Sequence, residues 1–300
     1  MSHPFFSIII PTYNRAHTIR RPINSILAQT FTDWELIIVD DGSTDDTQEI
    51  VESYKDPRIR YVWQENQERS AARNHGISLA KGAWICFQDS DDEYLPEHLQ
   101  VLCVGIQNNA EYKVIRTGLL IYEDGKEFGK SAMTQSNYDQ YPYEGIQCCS
   151  FSSEIFIESV RFNSIYNTIE DFEFLLQIGR KYTFLQLKNW TVNYYYDPKS
   201  SGGIGPNYQK NLTNQKACLD DILTWNKTLV IPYIIRKRCL NEILMVFGHL
   251  KYNRKLIPKA IRDNTLIFIK FPMEYIRLVI RILYVKIGES FGYTSYRYRF

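Results

Sequence analysis

Three carboxylates lie within four positions directly after a short apolar segment: Asp89, Asp91 and Asp92 follow residues 83–87. An apolar run bounded by a glycine and by acids is typical of a buried strand. Strand ends in open α/β sheets are where ligands bind. Carboxylates this close repel one another unless a cation joins them, and Mg²⁺ binds through one or two carboxylates plus substrate phosphates. The acidic turn therefore predicts a Mn²⁺ or Mg²⁺ site for a diphosphate-bearing substrate.

A structural explanation of the same turn stays open. Asp91 or Asp92 could cap the helix whose pattern begins near Pro96, and many acidic turns are only solvated loops. An EF-hand is disfavoured because the glycine and the distal Glu of that loop are missing. The turn alone does not decide between a metal site and a helix cap.

The elements that must position this turn alternate regularly along the first 90 residues. Apolar runs predict strands at 6–10 (stopped by Pro11), 35–39, 59–63 and 83–87, and helical spacing predicts helices from about Arg21, at 44–54 with Ser43 or Thr44 as cap, and at 70–80. This β-α order predicts an α/β fold with a mostly parallel, doubly wound sheet flanked by helices.

The chain beyond the acidic turn is less regular. The sequence predicts a hairpin arm at 114–122 with a turn at 123–125, a strand or short helix at 151–157, a helix at 169–178 and a strand at 191–196. From about Asn211 the chain becomes helical and basic. We therefore expect one domain over residues 1–210 and a helical C-terminal region over 211–300.

One apolar stretch of the C-terminal region carries charges on a single helix face. Lys270, Glu274, Arg277 and Arg281 recur at spacings of three and four. Such a helix suits a membrane interface, but it equally suits packing on its own domain with extended Arg and Lys stems. No uncharged apolar run approaches the roughly 20 residues of a spanning helix. Peripheral membrane contact is therefore one of two open interpretations.

Composition excludes several classes of protein. A formal net charge of +1 argues against a general nucleic-acid binder, which would carry a basic excess. The six cysteines form no C-x-x-C pair, so neither a zinc framework nor a disulfide scaffold is expected. The N-terminus shows no signal-peptide pattern, which predicts a cytoplasmic location.

Four motifs follow one another at the predicted strand ends and on the third helix. They are Pro-Thr-Tyr-Asn at 11–14, Val-Asp-Asp-Gly-Ser-Thr-Asp at 39–45, Ser-Ala-Ala-Arg-Asn at 70–74 and Asp-Ser-Asp-Asp at 89–92. In this order they resemble the signatures of inverting family 2 glycosyltransferases of the GT-A fold, of the bacterial polysaccharide type. The resemblance covers roughly residues 6–200. It implies transfer of a sugar from a nucleotide-sugar, UDP-linked, to a hydroxyl acceptor such as a surface polysaccharide or lipid-linked glycan.

The resemblance also implies roles for single residues on the donor side. Pro11, Thr12 and Tyr13 would line the pocket of the base, and Asp41 would bind the base. Arg73 would approach the diphosphate or support the acidic turn. Asp91 would contact the ribose or the metal, and Asp92 would ligate the metal, with Asp89 as a weaker ligand. In such enzymes the metal is Mn²⁺ or Mg²⁺, and it neutralises the departing nucleoside diphosphate.

On the acceptor side, Glu170 and Asp171 resemble the Glu-Asp pair of the family. Asp171 would then be the general base, with Glu170 as the alternative. A free Asp has a pKa of about 4, so it is a weak base unless it is partly desolvated. A simpler role for Asp171 is that of an acid at a helix N-terminus, where the dipole favours negative charge.

Two departures from the family pattern and two other functions need weighing. Residues 67–69 stand where many relatives have a glycine, and Asp197, which could reach the metal, lies where many have a His.

A nucleotidyltransferase is disfavoured because residues 11–15 contain no glycine. A non-catalytic nucleotide-sugar-binding partner of a glycan assembly complex is disfavoured because both Asp92 and Asp171 are present.

Overall fold

The computed structural model describes residues 3–131, 145–166, 168–196 and 208–222. The chain divides into two compact units, Met1–Pro198 and Lys199–Phe300. The described part of the second unit is one helix, Tyr208–Ile222, and the boundary predicted at 210/211 falls inside it. Asp197 and the basic segment with its predicted membrane face lie outside the described residues. None of the described helices is long and apolar enough to cross a membrane.

The first unit alternates strands and helices up to the acidic turn and is mixed afterwards. Its strands are β1 (Phe6–Thr12), β2 (Trp34–Asp40), β3 (Ile59–Trp63), β4 (Trp84–Phe87), β5 (Glu93–Tyr94), β6 (Val114–Glu123), β7 (Lys126–Lys130), β8 (Cys149–Ser152) and β9 (Phe184–Tyr196). Its helices are α1 (Arg20–Leu27), α2 (Thr47–Glu52), α3 (Glu68–Leu79), α4 (His98–Asn108), α5 (Glu154–Ile157) and α6 (Glu170–Gly179), with a 3₁₀ turn at Ile146–Cys148. The helix Tyr208–Ile222 is α7.

The nine strands of the first unit form one sheet. Its order is β3-β2-β1-β4-β8-β6-β9-β5, and β7 pairs with β6. The first four strands run parallel, which places their carboxyl ends at one edge. The second half combines the parallel pair β6–β9 with antiparallel pairs at β8, β5 and β7. The predicted α/β class is therefore confirmed, and the parallel part holds the predicted strand ends.

The centres of strands β1 and β2 are buried on both faces. They consist of the apolar runs 8–10 and 36–39, in which Ile8, Ile9 and Ile37 are inaccessible to solvent. Strands that are covered on both faces need apolar residues on both, so they lack the alternation of a half-exposed strand.

The predicted end of β1 at Pro11 is wrong, because the strand continues to Thr12. The Ile9 carbonyl accepts the N–H of Gln88 on the β4 side, and the Thr12 carbonyl accepts the N–H of Asp41 on the β2 side. The nitrogen of Pro11 therefore faces the β4 side, where pairing with β1 has ended at Phe87. A missing N–H costs no ladder bond there, so proline is tolerated.

The predicted span 44–54 of the second helix is too long, and the proposed Ser43 cap is not formed. The helix covers Thr47–Glu52. The Ser43 hydroxyl instead accepts the backbone N–H of Asn14, and the Asp45 carboxylate accepts that of Ala16. Residues before α2 are therefore used to join two loops rather than to extend the helix.

The close approach of β1 and the turn before β4 requires a glycine at position 82. A Cβ added to Gly82 would lie 2.5 Å from the backbone nitrogen of Ser7 and 2.7 Å from the carbonyl carbon of Phe6. Backbone atoms in the sheet cannot move aside as a flexible side chain would. Overpacking of this kind costs about 1–3 kcal/mol.

We predict that Gly82→Ala lowers the free energy of unfolding by about 1–3 kcal/mol, measured by urea denaturation. Lys81→Ala is the neighbouring control, because Lys81 is exposed and only its backbone N–H is bonded to the core. Its effect should stay within about 0.5 kcal/mol. Equal midpoints for Gly82→Ala and the natural chain would show that β1 and the turn are not in contact.

His98 lies at the start of α4 with its imidazole fully buried. Its Nδ1 is 2.7 Å from the Thr191 hydroxyl oxygen, and this hydroxyl donates to Thr117 Oγ1 at 2.8 Å. Because the Thr191 proton is used towards Thr117, Nδ1 of His98 must donate. Among the described residues Nε2 has no partner. Burial therefore disfavours the imidazolium and lowers the pKa of His98 to about 3.

This buried histidine predicts a loss of stability in acid. The unfolded side chain has a pKa of about 6.5, so below that pH the unfolded chain binds a proton that the folded chain excludes until about pH 3. His98 should therefore remove about 2 kcal/mol of unfolding free energy between pH 7 and pH 5. His98→Asn keeps a donor near Nδ1 but does not titrate. Denaturation at both pH values should show a smaller loss for this variant, and an identical loss would refute the assignment.

Candidate active site

The loops that follow β1 and β2 are held together at the carboxyl edge of the sheet. The Asp41 backbone N–H donates to the Thr12 carbonyl at 2.8 Å, and the Asn14 N–H donates to Ser43 Oγ at 2.8 Å. Asn14 has a φ of +52°, which turns the chain sharply after β1. Thr12 is buried, whereas Tyr13 is 49% exposed beside it. The loop residues predicted to line a base pocket thus lie next to Asp41.

The two aspartates at the end of β2 have different surroundings. Asp40 accepts the Ser43 N–H at 2.7 Å and the Tyr61 hydroxyl at 2.8 Å, so it stabilises the turn. Asp41 Oδ1 accepts the Gln64 side-chain amide at 2.6 Å and the Gln67 N–H at 2.9 Å. Both carboxylates are buried, but only that of Asp41 is anchored by the segment that leads into α3.

Asp92, the last acid of the turn, is held between two distant segments. Its Oδ1 accepts the Tyr195 N–H at 3.0 Å, and its Oδ2 accepts the Gln147 side-chain amide at 2.8 Å. It therefore does not cap α4, which begins at His98. Burial, followed by repulsion from Asp89 and Asp91, raises the pKa of Asp92 although both hydrogen bonds act in the opposite direction.

Asp91 lies on the more open side of the turn, and two arginines contact it. Its Oδ2 is 3.5 Å from Arg15 Nη2, and its backbone carbonyl accepts from Arg21 Nη1 at 2.9 Å. The Arg21 guanidinium also stacks on the Tyr195 ring, 4.1 Å from its centroid. Desolvation, followed by the charge of Asp89, raises the pKa of Asp91 despite Arg15. The turn therefore carries more negative charge than its protein partners neutralise.

Arg73 on α3 joins the acidic turn to the start of α6. Its Nη1 is 2.8 Å from Glu170 Oε1, its Nη2 is 2.9 Å from Asp89 Oδ1, and the whole side chain is buried. Burial alone would lower the pKa of Arg73, but the charges of Asp89, Glu170 and Asp171 outweigh it and raise the pKa. Arg73 is therefore charged and supports the turn, and Glu170 and Asp89 are both engaged in its ion pairs.

Asp171 lies near the acidic turn, because Arg73 pairs both with Asp89 of the turn and with Glu170, the residue before Asp171. Burial raises the pKa of Tyr194, and the charges that raise it further are those of Asp92, Asp89, Asp91 and Asp171. Asp171 is partly buried, and its Oδ1 accepts the N–H of Phe172 at 2.8 Å. The four carboxylates predicted for metal binding and proton transfer thus lie at one edge of the sheet, although they come from two distant segments.

The fit of this edge to a divalent cation can be judged from its donors. Within the described residues no three His, Cys, Asp or Glu side chains are grouped to hold a metal. Mg²⁺, however, is usually bound by one or two carboxylates together with substrate phosphates. Asp91 and Asp92 supply such oxygens: Asp92 accepts from the neutral donors Gln147 and the Tyr195 N–H, and the Asp91 carboxylate is 3.5 Å from the partly exposed Arg15. The residues fit an ion shared with a substrate rather than a closed protein site.

Several residues of the site were not identified from the sequence. Gln147, which holds Asp92, lies 55 positions away on a 3₁₀ turn, and Gln64 and Gln67, which hold Asp41, follow β3. No local pattern distinguishes these glutamines from surface ones. Glu68 is one of the three residues that stand where many relatives have a glycine, and its φ of +71° lies in the left-handed region that glycine favours.

Residues 7–161 match the family described as "Glycosyl transferase family 2". The chain belongs to this family. This glycosyltransferase is similar to the "Putative glycosyltransferase EpsE" of Bacillus subtilis, with 37% identity over 43% of this chain and 46% of the relative. It is also similar to the "UDP-Glc:alpha-D-GlcNAc-diphosphoundecaprenol beta-1,3-glucosyltransferase WfgD" of Escherichia coli, with 39% identity over 35% of this chain and 43% of the relative. The chain thus spans less than half the length of these relatives.

The fold of this family 2 glycosyltransferase resembles that of solved structures. S. aureus TarS 1-349 in complex with UDP-GlcNAc matches with a TM-score of 0.61 and 20% identity, over 83% of this chain and 74% of that chain. The TarS 1-349 crystal structure without a named ligand gives a TM-score of 0.60 at 19% identity. At this level of identity the likeness establishes the GT-A-like fold.

We predict that Arg73→Met lowers the free energy of unfolding by about 3–5 kcal/mol, because it leaves Glu170 buried and unpaired by Arg73. Arg73→Met/Glu170→Met removes both charges, so it should lose less than the single variant. Arg60→Met is the control, since Arg60 is exposed on β3. A double variant that is less stable than Arg73→Met in urea denaturation would contradict a buried ion pair.

Proposed function

We propose that this chain transfers a sugar, with inversion, from a UDP-linked donor to a hydroxyl group of a glycan or lipid-linked glycan. The supporting observation is the pairing of Arg73 with both Asp89 and Glu170, which brings the acidic turn and the start of α6, with Asp171, together at the sheet edge that also carries Asp41. A transferase needs this arrangement, because leaving-group stabilisation and deprotonation of the acceptor must occur on either side of one anomeric carbon.

The first half of the sheet would bind the donor. Asp41 accepts a hydrogen bond from a ring N–H of the base, and the exposed ring of Tyr13 covers the base. Arg15 and Arg69 are partly exposed cations beside the acidic turn and α6, where they offset the charge of the diphosphate. Asp91 contacts the ribose or the cation. Tyr13, Arg15, Asp41 and Asp91 follow strands β1, β2 and β4, and Arg69 lies on the first turn of α3.

Asp92, with Asp91, would hold a Mn²⁺ or Mg²⁺ ion that stabilises negative charge on the leaving nucleoside diphosphate. Gln147 and the Tyr195 N–H fix the orientation of the Asp92 carboxylate. Asp89 is less suited as a ligand, because it pairs with Arg73. These contacts keep one acid of the turn rigid and leave another open to the ligand.

Asp171 would accept the proton of the acceptor hydroxyl. It stands on the first turn of α6 beside Glu170, whose ion pair with Arg73 fixes the start of the helix. Because Glu170 is buried in that pair, Asp171 is the better placed of the two acids. The hydroxyl oxygen then attacks opposite the departing phosphate, so the configuration at the anomeric carbon inverts.

The names of the relatives support the choice of donor and acceptor. WfgD is named as using UDP-Glc and a diphosphoundecaprenol-linked acceptor, and TarS was solved with UDP-GlcNAc. A lipid-linked acceptor would be met at a membrane surface. We propose that the basic residues of the region 211–300 contact the cytosolic face of the membrane, with the remainder of the chain in the cytoplasm.

We predict that the full chain with Mn²⁺ hydrolyses a UDP-sugar slowly and transfers the sugar to a suitable glycan. Asp171→Asn should lower the transfer rate by about 10²–10⁴-fold, the usual contribution of a general base. Asp92→Asn and chelation by EDTA should abolish turnover. Asp124→Asn, at the β6–β7 turn, is the control for an Asp→Asn change away from the site.

Two results would contradict the proposal in different ways. UDP binding without turnover, and with no effect of Asp171→Asn, would indicate a non-catalytic nucleotide-sugar binder. Release of pyrophosphate during turnover would indicate a nucleotidyltransferase. Transfer that is indifferent to EDTA and to Asp92→Asn would remove the metal from the mechanism and leave the remaining roles intact.

A further inference from the structure

A chain of side-chain hydrogen bonds leads from helix α3 to the carboxylate of Asp41. His75 Nδ1 is 2.8 Å from Gln64 Oε1, and Gln64 Nε2 donates to Asp41 Oδ1 at 2.6 Å. His75 is partly buried and lies one residue before Gly76, which packs directly on Ile9 of β1. The imidazole is thus held by a helix that the sheet fixes in position.

The donor and the acceptor in each of these two hydrogen bonds follow from the chemistry of the side chains. A carboxylate only accepts, so Gln64 must present its amide N–H₂ to Asp41. The other end of the amide is then a carbonyl oxygen, which also only accepts. His75 must therefore carry a proton on Nδ1 and donate it to Gln64. With this donor in place, the opposite orientation of the Gln64 amide is disfavoured.

These hydrogen bonds determine which oxygen of Asp41 remains available to a ligand. Its Oδ1 accepts both the Gln64 amide and the Gln67 N–H, whereas no described residue donates to Oδ2. Asp41 thus offers one fixed oxygen that accepts but cannot donate. A base with a ring N–H at that edge, such as the imide of uracil, satisfies it. Cytosine in the same pose places N3, an acceptor, against the carboxylate, so its N4 amino group can donate only if the base shifts.

We propose that His75 is a positioning residue that sets the base specificity of the donor site through Gln64. The inference rests on the proposed function, since it requires a nucleotide to bind beside Asp41. His75 does not touch the ligand. It fixes the Gln64 amide, and the amide in turn orients the carboxylate so that Oδ2 points towards the base. Without the Nδ1 proton the Gln64 carbonyl loses its donor, so the amide is held only by Asp41, and the carboxylate is oriented mainly by the Gln67 N–H.

The test is a comparison of UDP and CDP binding to the full chain by calorimetry. The natural chain should bind UDP at least about 10-fold more tightly than CDP. His75→Phe keeps a flat ring but removes the donor, so UDP binding should weaken about 3- to 10-fold, the value of one hydrogen bond, while CDP binding stays unchanged. His75→Asn, whose amide N–H₂ lies near Nδ1, should restore the preference.

A second variant tests whether the effect passes through Gln64. Gln64→Met should lower the UDP preference as His75→Phe does, and the double variant should lose no more than either single one, because both break the same chain. Thermal unfolding without nucleotide should change equally for His75→Phe and His75→Asn, although only the first alters the preference.

Two results would overturn the inference, and they are distinguishable. If His75→Phe weakens UDP and CDP by the same factor, or if His75→Asn does not restore the preference, His75 has only a structural role and the donor site stands. If the natural chain binds neither nucleotide, the proposed function fails and the inference fails with it.

Discussion

The pairing of one buried cation with two carboxylates is the interaction on which the site depends. Arg73 has no solvent to screen its charge, so it is tolerated only because Glu170 and Asp89 bind it at 2.8 and 2.9 Å. These partners begin α6 and the acidic turn, which lie 81 positions apart in the chain, from 89 to 170. The helix that carries Asp171 is thereby fixed against the turn that carries Asp92. Movement of either segment would remove one of the two carboxylates that compensate the buried Arg73, which is more costly than the loss of a surface contact.

The carboxylates of the acidic turn differ in how far protein groups compensate their negative charge. Asp89 shares the charge of Arg73 with Glu170, whereas Asp92 has two neutral hydrogen-bond donors and no ion-pair partner among the described residues. Asp91 has only a 3.5 Å contact with a partly exposed arginine. Burial and mutual repulsion disfavour the charged forms of Asp91 and Asp92, as the raised pKa of both carboxyls indicates. A positive ligand would relieve this repulsion, which is the physical basis of the cation proposed above.

The sequence predicted what depends on local pattern and missed what depends on tertiary contacts. Residues 59–63 form a strand with the predicted bounds, since an apolar run between turn residues leaves few alternatives. The end of β1 was misplaced, because only the early end of β4 makes a proline harmless at position 11. Gln147 and Gln64 could not be recognised, since the value of a glutamine amide depends on which carboxylate the folded chain places within 3 Å of it. Motif spacing thus located the acids, but not the residues that orient them.

Two neighbouring acids at the end of β2 have different partners, so one short motif serves two purposes. Asp40, the last residue of the strand, accepts from Tyr61 and holds the turn, while Asp41, the first residue after it, accepts from Gln64 and from Gln67 before α3. The parallel half of the sheet carries Asp41 at its edge, and the mixed half carries Tyr194 and Tyr195 on β9. Helix α3 joins the parallel half to the later segments, because Arg73 pairs with Glu170 and the Asn74 amide donates to the Phe162 carbonyl. Asp41 takes no part in these bonds, since no hydrogen bond among the described residues connects it to the mixed half, so substitutions in that half should leave the surroundings of Asp41 unchanged.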